Sequence, residues 1–288
     1  MSEPGPPDSG AASRAAAGGY VPALPSRPAI TRTGGVNPFE VSPEQGEHYD
    51  AVRPSYPAAA VDWVLDGLGA GLDVVETGAG TGLFTRRLAE RPAERVRSVA
   101  AVEPSEAMRA VLERDVAAGS AGRVRAVDGT GEATGLADGC ADVVVAAQAW
   151  HWMDAERASA EAARVLRPGG RLAAVWNQLD VTVPWVHRLT RIMHAGDVHA
   201  AAPERRRFAA PFGPEEHARW SWSLTTTPAG LHALMASRSY WLRAREGTRA
   251  RMTANLDWYL HEHLGHAAGE ELTLPYVTVA WRAPAPAR

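Results

Sequence analysis

Residues 74–88, VVETGAGTGLFTRRL, set Gly78, Gly80 and Gly82 between an apolar run and a helical pattern, with Glu76 just ahead of them. Bare backbone at that density suits a chain that must turn sharply while another molecule approaches it closely. In an open α/β sheet such an approach happens beyond the carboxyl ends of the strands, above all in the turn after the first one. The spacing is G-x-G-x-G with Leu at position 83, so the G-x-G-x-x-G of dinucleotide-binding turns is absent. Glu103 ends the second apolar run, where a carboxylate can accept hydrogen bonds from both hydroxyls of a ribose. Together these residues point to an adenosine-containing ligand without a pyrophosphate. A plain tight turn beside a surface acid is the competing reading.

The elements that must position these groups are legible as a rhythm. Pro57 opens a helical pattern through Val61, Val64, Leu65 and Leu68, closed by glycines. Short apolar runs at 72–77, 95–102, 123–127, 141–148 and 171–177 read as strands. Helical patterns at 83–90, 105–118 and 155–166 alternate with them, the last closed by Pro168-Gly169-Gly170. Continuous apolar strands alternating with helices predict a doubly wound α/β domain with a mostly parallel sheet. After Asn177 the rhythm breaks. Residues 178–218 read as helical or irregular, 219–225 as an alternating strand, 229–239 and 245–264 as helices, and 271–283 as a second alternating strand. The two alternating strands predict an antiparallel pair joined to the sheet, and the long segment before them predicts a lid or substrate wall.

Composition narrows the function classes. A formal charge of −3 over 288 residues gives no electrostatic reason to bind nucleic acid, and the basic run Arg205-Arg206-Arg207 reads as a solvated face. The single cysteine, Cys140, allows neither an internal disulfide nor a cysteine metal cluster and fits a reducing compartment. Neither a membrane span nor a secretory signal is evident, which predicts a cytoplasmic protein. His261, His263 and His266 do not reproduce H-E-x-x-H spacing, so no metal is expected. Residues 1–36, rich in Gly, Pro and Ala, predict a mobile tail ahead of a single domain at 37–288. Its scattered apolar residues leave room for an interaction arm, or for a homo-oligomer formed through this region.

Four segments in order, ETGAGTG (76–82), VEPSEAMRAVL (102–112), GTGEATGLADGCADVVVAAQAWHWMD (129–154) and VLRPGGRLAAVWN (165–177), resemble class I S-adenosylmethionine-dependent methyltransferases. The A-x-H-W-x-D element at 149–154 resembles the small-molecule subgroup that includes the trans-aconitate methyltransferases. The resemblance spans about residues 48 to 283 and implies a seven-stranded sheet with an antiparallel last strand; within the domain, 178–218 and 228–265 read as helical lid or substrate-facing insertions. It implies S-adenosylmethionine as cofactor, with S-adenosylhomocysteine as product. Gly78, Gly80 and Gly82 would lie under the methionine moiety, with Glu76 ahead of them. Glu103 would hold the ribose, with Pro104 and Ser105 beside the adenine. Gly131 and Glu132 correspond to adenine-facing positions, although the family more often has Ala at the first. HYDAVRPSYP (48–57) resembles the family's amino-terminal segment, in which Tyr49 and Arg53 would reach the cofactor's carboxylate; pinning the first helix is their alternative role. Gln148 would sit near the sulfonium.

The acceptor side is less specific. Methyl transfer from a sulfonium needs alignment and desolvation, and a base only if the acceptor must lose a proton. His151, just after the fourth strand, is the candidate catalytic residue, as base or as orienter. Nine of ten tryptophans lie at or beyond position 150. Trp152, Trp185 and Trp241, with Tyr240 in the SRSYWL segment, are candidate substrate-binding residues for a small, apolar or aromatic acceptor of secondary metabolism. Three rivals remain open: a nicotinamide-dependent oxidoreductase, a non-catalytic cofactor-binding scaffold, and methylation at carbon coupled to rearrangement or cyclisation.

Overall fold

The five apolar runs form parallel strands in a computed structural model that describes residues 42–194 and 207–286. They are β1 (Leu72–Thr77), β2 (Val96–Val102), β3 (Val124–Val127), β4 (Ala141–Ala147) and β5 (Leu166–Leu179). Two longer strands complete the sheet: β6 (Glu216–Thr226) and β7 (Leu272–Pro284). The order is β3-β2-β1-β4-β5-β7-β6, and β7 runs antiparallel to both its neighbours. The two alternating strands therefore pair with each other, with β7 slotted between β5 and β6. The proposed tail, and Arg205 and Arg206, lie outside the described residues. Arg207 departs from the solvated-face expectation: its guanidinium lies 4.3 Å from the Trp281 ring centroid.

Helices α2 (Ala58–Leu65) and α3 (Leu83–Ala89) cover one face. Val61, Val64, Leu65, Phe84 and Leu88 bury there against Val74, Val99 and Val145. On the other face α5 (Ala155–Val165) packs Ala158, Ala162 and Val165 against Val75 and Val144. Asp154 starts α5 by accepting from the backbone N–H groups of Glu156 and Arg157. The pattern at 105–118 is split into α4 (Glu106–Leu112) and a wide π turn, Glu113–Ala117. Strand β5 starts five residues earlier than its apolar run: Leu166 already pairs with Ala141, and a register shift follows. Gly170 permits it, since a Cβ there would lie 2.6 Å from the Asp142 carbonyl oxygen.

A third core covers the carboxyl-terminal part of the sheet. It joins α6 (Pro184–Ile192), α7 (Pro228–Ala236) and α9 (Glu246–Asp257) through Val186, Leu189, Leu231, Leu234 and Leu256. The single helix expected at 229–239 ends at Ala236. A short helix, α8 (Ser239–Arg243), follows a break at Ser237 and Arg238, where Arg238 is extended (φ −86°, ψ 143°). Ahead of the sheet, α1 (Pro43–Val52) starts with a capping box between Ser42 and Gln45. Among the described residues no helix is long and apolar enough to cross a membrane.

Candidate functional site

The three loop glycines prove to have different tasks. All are left-handed, with φ of +68°, +57° and +89° at Gly78, Gly80 and Gly82. A Cβ on Gly78 would lie 2.5 Å from Ala149 Cβ, and one on Gly82 would crowd Val116 and Leu112 at 3.0 and 3.1 Å. These two glycines let the loop pack against its own protein. Above Gly80 the nearest atom is Met108 Sδ at 3.9 Å. Gly80 thus offers the open backbone surface that a ligand can approach.

Glu103, 5% exposed, faces this loop from the end of β2. Its Oε2 accepts from Gly80 N–H and its Oε1 from Ser105 N–H, both at 2.9 Å. Ser105 in turn caps α4, and Pro104 is half-buried between them. Burial raises the Glu103 carboxyl above its ordinary pKa. Glu76, fully enclosed and bonded to the Thr85 hydroxyl, is pushed up to about 8, first by desolvation and then by the Glu103 charge. Glu76 is therefore largely protonated at neutral pH.

The loop after β3 meets the loop after β4. Glu132 Oε1 accepts from Asp154 N–H at 2.8 Å, which ties the two loops together. Gly131 explains its own identity: a Cβ there would stand 2.3 Å from Met153 Sδ. The thioether occupies the volume that an alanine would need. Gln148, at the tip of β4, is non-glycine yet left-handed (φ +54°), and its amide donates to the Asn177 carbonyl at 2.6 Å. Strained backbone of this kind persists where the surroundings over-determine it.

Two clefts open beside these loops and share Tyr49. The first, between α1, α4 and the α7–α8 break, is lined by His48, Tyr49, Met108, Ser237 and Leu242. The second lies beyond the ends of β4 and β5. Tyr49, Arg53, Gln148, Asn177 and Arg238 supply its polar wall. Pro54, Tyr56, Leu83, Leu179 and Tyr276 supply the rest. Arg53 stacks on Tyr49 at 5.0 Å and donates to Ser237 Oγ at 2.9 Å and to the Ser237 carbonyl at 3.2 Å. Burial holds the Tyr56 phenol far above its ordinary pKa, so it remains a hydrogen-bond donor.

Of the residues singled out from sequence, Tyr49, Arg53 and Gln148 meet in the second cleft. Glu76, the three glycines, Glu103, Pro104 and Ser105 surround the neighbouring loop. Gly131 and Glu132 join them through Met153 and Asp154. His151 is exposed on the turn after β4, and its Nδ1 accepts from Trp176 Nε1–H at 3.2 Å. An indole nitrogen only donates, so the histidine proton sits on Nε2. The aromatic candidates disperse. Trp152 lies 5.0 Å from His151, and Tyr240, 46% exposed, stacks on His194 at 4.2 Å. Trp185 and Trp241 pack against the third core. Sequence reasoning missed Met108, Asn177 and Arg238. The first was accessible as the residue three beyond the Ser105 cap; the other two become visible only through tertiary contacts.

The open surface at Gly80, the buried Glu103 carboxylate beside it and the guanidinium of Arg53 fit an adenosine ligand that carries an amino-acid carboxylate. Comparison with known proteins points the same way. Residues 75–174 match the family described as a methyltransferase domain. An uncharacterized methyltransferase of Mycobacterium tuberculosis is 39% identical over 236 residues, covering 82% of this chain and 91% of that protein. An uncharacterized methyltransferase-like protein of Schizosaccharomyces pombe is 33% identical over 222 residues, covering 73% and 81%. A solved structure from Anaeromyxobacter dehalogenans, assigned as a type II methyltransferase, superposes with a TM-score of 0.63 at 27% identity, covering 82% of this chain and 99% of that one.

Proposed function

The chain belongs to the class I S-adenosylmethionine-dependent methyltransferases, and from that premise we propose that it methylates a small organic acceptor bound in the second cleft, beyond β4 and β5. The observation that carries this reading is the adjacency of two clefts at Tyr49, one beside the open Gly80 loop and one facing the strained Gln148. When bound, S-adenosylmethionine supplies an electrophilic methyl group on a sulfonium.

The protein's own part is placement and exclusion of water. We assign Gly80 and Glu103 to the cofactor's sugar and adjoining chain, and Arg53, held by Ser237 and Tyr49, to its carboxylate, for which a guanidinium fork is suited. Gly78 and Gly82 support the loop from beneath. Pro104, Ser105, Gly131 and Glu132 are assigned to the adenine side, and Gln148 to the reacting end. Tyr56, Leu83 and Tyr276 give the acceptor cleft apolar surface, which favours an acceptor with an apolar or aromatic body. We assign His151 the part of orienter, because Nδ1 accepts from Trp176 and the ring proton is therefore on Nε2. Trp152 is the aromatic neighbour that fixes the ring. The segments 178–218 and 228–265 are read as substrate-facing insertions, of which 195–206 lies outside the described residues.

Titration calorimetry with S-adenosylhomocysteine and separately with NADH tests the assignment. Micromolar binding of the first and none of the second is expected; the reverse would return the glycine loop to an oxidoreductase. A methyl mass gain on apolar or aromatic acceptors is the expected second result. Transfer confined to polar polycarboxylates would remove the apolar-body reading.

A further inference from the structure

We propose that the second cleft takes a neutral amine as its acceptor, and that Gln148 receives the amine N–H on its amide oxygen, Oε1, while the nitrogen lone pair faces the methyl group. The inference rests on the methyl-transfer reading and deepens it by naming the acceptor atom. Two side-chain amides line this cleft, those of Gln148 and Asn177. The bonds they make decide which end of each faces the protein. Gln148 Nε2 lies 2.6 Å from the Asn177 backbone carbonyl, which only accepts, so the nitrogen end is spent there. Among the described residues no donor is bonded to Gln148 Oε1. Asn177 has no such oxygen to offer. The Trp222 indole N–H donates to Thr278 Oγ1 at 2.9 Å, so the Thr278 hydroxyl proton goes to Asn177 Oδ1 at 2.6 Å. The Asn177 amide nitrogen then donates to the Ser55 carbonyl at 3.1 Å. Gln148 is also held at its backbone, which is left-handed (φ +54°) and donates its N–H to the Val175 carbonyl at 2.8 Å.

An acceptor oxygen selects a nucleophile that carries a hydrogen-bond donor. Carbon and carboxylate nucleophiles carry none. A hydroxyl carries one, but it attacks a sulfonium methyl effectively only as its proton leaves, and an amide oxygen is too weak a base to take that proton. No aspartate, glutamate, histidine, lysine or cysteine lines this cleft among the described residues, so the usual general bases are missing from its wall. Arg53 and Arg238 hold their protons whatever they bond, and burial keeps the Tyr56 phenol protonated. His151, on the turn after β4, is not part of this lining. A neutral amine needs no base. It donates one N–H to Oε1 and keeps its lone pair, which forms the new N–C bond. The C–S bond breaks and its electrons pass to sulfur, giving S-adenosylhomocysteine. The nitrogen emerges as an alkylammonium and releases its extra proton to water. Leu83, Leu179 and Tyr276 offer apolar contact to the body of the amine.

The test supplies the full chain with S-adenosylmethionine and, separately, with benzylamine, N-methylbenzylamine and indoline as amines and with benzyl alcohol, phenol and phenylacetate as oxygen counterparts. Mass spectrometry follows the methyl gain. At least one amine is expected to be methylated at nitrogen with kcat/KM at least about tenfold above every oxygen counterpart, the scale of one well-placed hydrogen bond. With benzylamine or N-methylbenzylamine the rate should climb with pH as the neutral form grows; with indoline, already neutral, it should not. Gln148→Met, of similar length and without the oxygen, should lower kcat/KM for that amine at least about tenfold, while S-adenosylhomocysteine affinity by calorimetry stays within about threefold. Circular dichroism confirms that the variant is folded, and the comparison of amines with oxygen acceptors in the unaltered protein stands without it. Transfer confined to the oxygen counterparts, no transfer to any of the amines, or a loss of S-adenosylhomocysteine affinity in Gln148→Met as large as the loss of transfer would each overturn the proposal. The last result would give Oε1 to the cofactor's ammonium. Failure of the unaltered protein to bind S-adenosylhomocysteine would instead count against the methyl-transfer reading itself.

Discussion

Two side chains carry proton chemistry that differs from what their types alone announce. His151 is a natural base by type, but its Nδ1 is taken by the Trp176 indole N–H. His151→Ala should therefore leave S-adenosylhomocysteine affinity unchanged and lower kcat roughly ten- to hundredfold, the scale of one lost oriented hydrogen bond. The pH profile of kcat/KM should keep its shape, and the disappearance of an acidic limb in the variant would make the histidine a base after all. Glu76 differs in the opposite sense: an acid by type, it holds its proton to about 8 against an ordinary 4.5. Because the folded state binds that proton more tightly than the unfolded chain, the stabilising contribution is full below about 4.5 and is lost as pH rises towards 8. Urea unfolding of the wild type and Glu76→Gln should show the wild type losing ground to the variant across that window, with Glu103 common to both. A pH-independent difference would contradict it. The loop glycines were legible by spacing, but their separate tasks were not, since only the neighbours Ala149, Val116 and Met108 distinguish packing from approach. Gly131 was likewise unexplained in one dimension, because the side chain that needs its space, Met153, lies on another loop.

At the scale of elements, β5, β7 and β6 do more than extend the sheet. Trp222 Nε1–H on β6 donates to Thr278 Oγ1 on β7 at 2.9 Å, and that hydroxyl donates to Asn177 Oδ1 on β5 at 2.6 Å. The Asn177 amide then donates to the Ser55 carbonyl at 3.1 Å, which fixes the segment between Arg53 and Tyr56 over the cleft. Thr278 is fully buried, so Thr278→Val keeps the shape and leaves both an indole donor and an amide oxygen without their partner. It should cost about 1–3 kcal/mol in urea unfolding with an unchanged m-value. A loss below a few tenths would show that the chain of bonds is ornamental. The strands themselves were largely legible: β1 occupies the very span of its apolar run, and β2 to β4 differ by one residue at an end. The placement of β7 between β5 and β6 was not, because alternation reports which side chains share a face and says nothing of which strand lies next door. Nor was the break at Ser237. An unbroken helical pattern covers it, and the Arg53 contact that accompanies it comes from 184 residues away in sequence.

For the molecule as a whole, the site closes a circuit between the two ends of the described chain. His48 on α1 bonds the Ala233 carbonyl on α7 at 3.1 Å, and Arg53 bonds Ser237, while the third core under α7 is separate from the two that flank β1 to β4. A ligand seated against Gly80, Glu103, Tyr49 and Arg53 touches the parallel half of the sheet, α1 and, through Ser237, the carboxyl-terminal helices. On the assignment proposed above it is bound only where all three are assembled, so its binding free energy is added to the stability of the whole. At a concentration about 100 times its dissociation constant that addition is about 2.7 kcal/mol. For a domain of this size each kcal/mol moves the thermal midpoint by roughly 2–4 °C, so S-adenosylhomocysteine should raise it by roughly 5–10 °C. The rise should appear in a single transition by both tryptophan fluorescence and circular dichroism, because Trp63, Trp150 and Trp185 report the three cores while far-ultraviolet ellipticity reports the helices on every face. Two transitions, only one of them moved by the ligand, would mean that the carboxyl-terminal core unfolds independently and that the clefts are joined at Tyr49 without being coupled through Ser237.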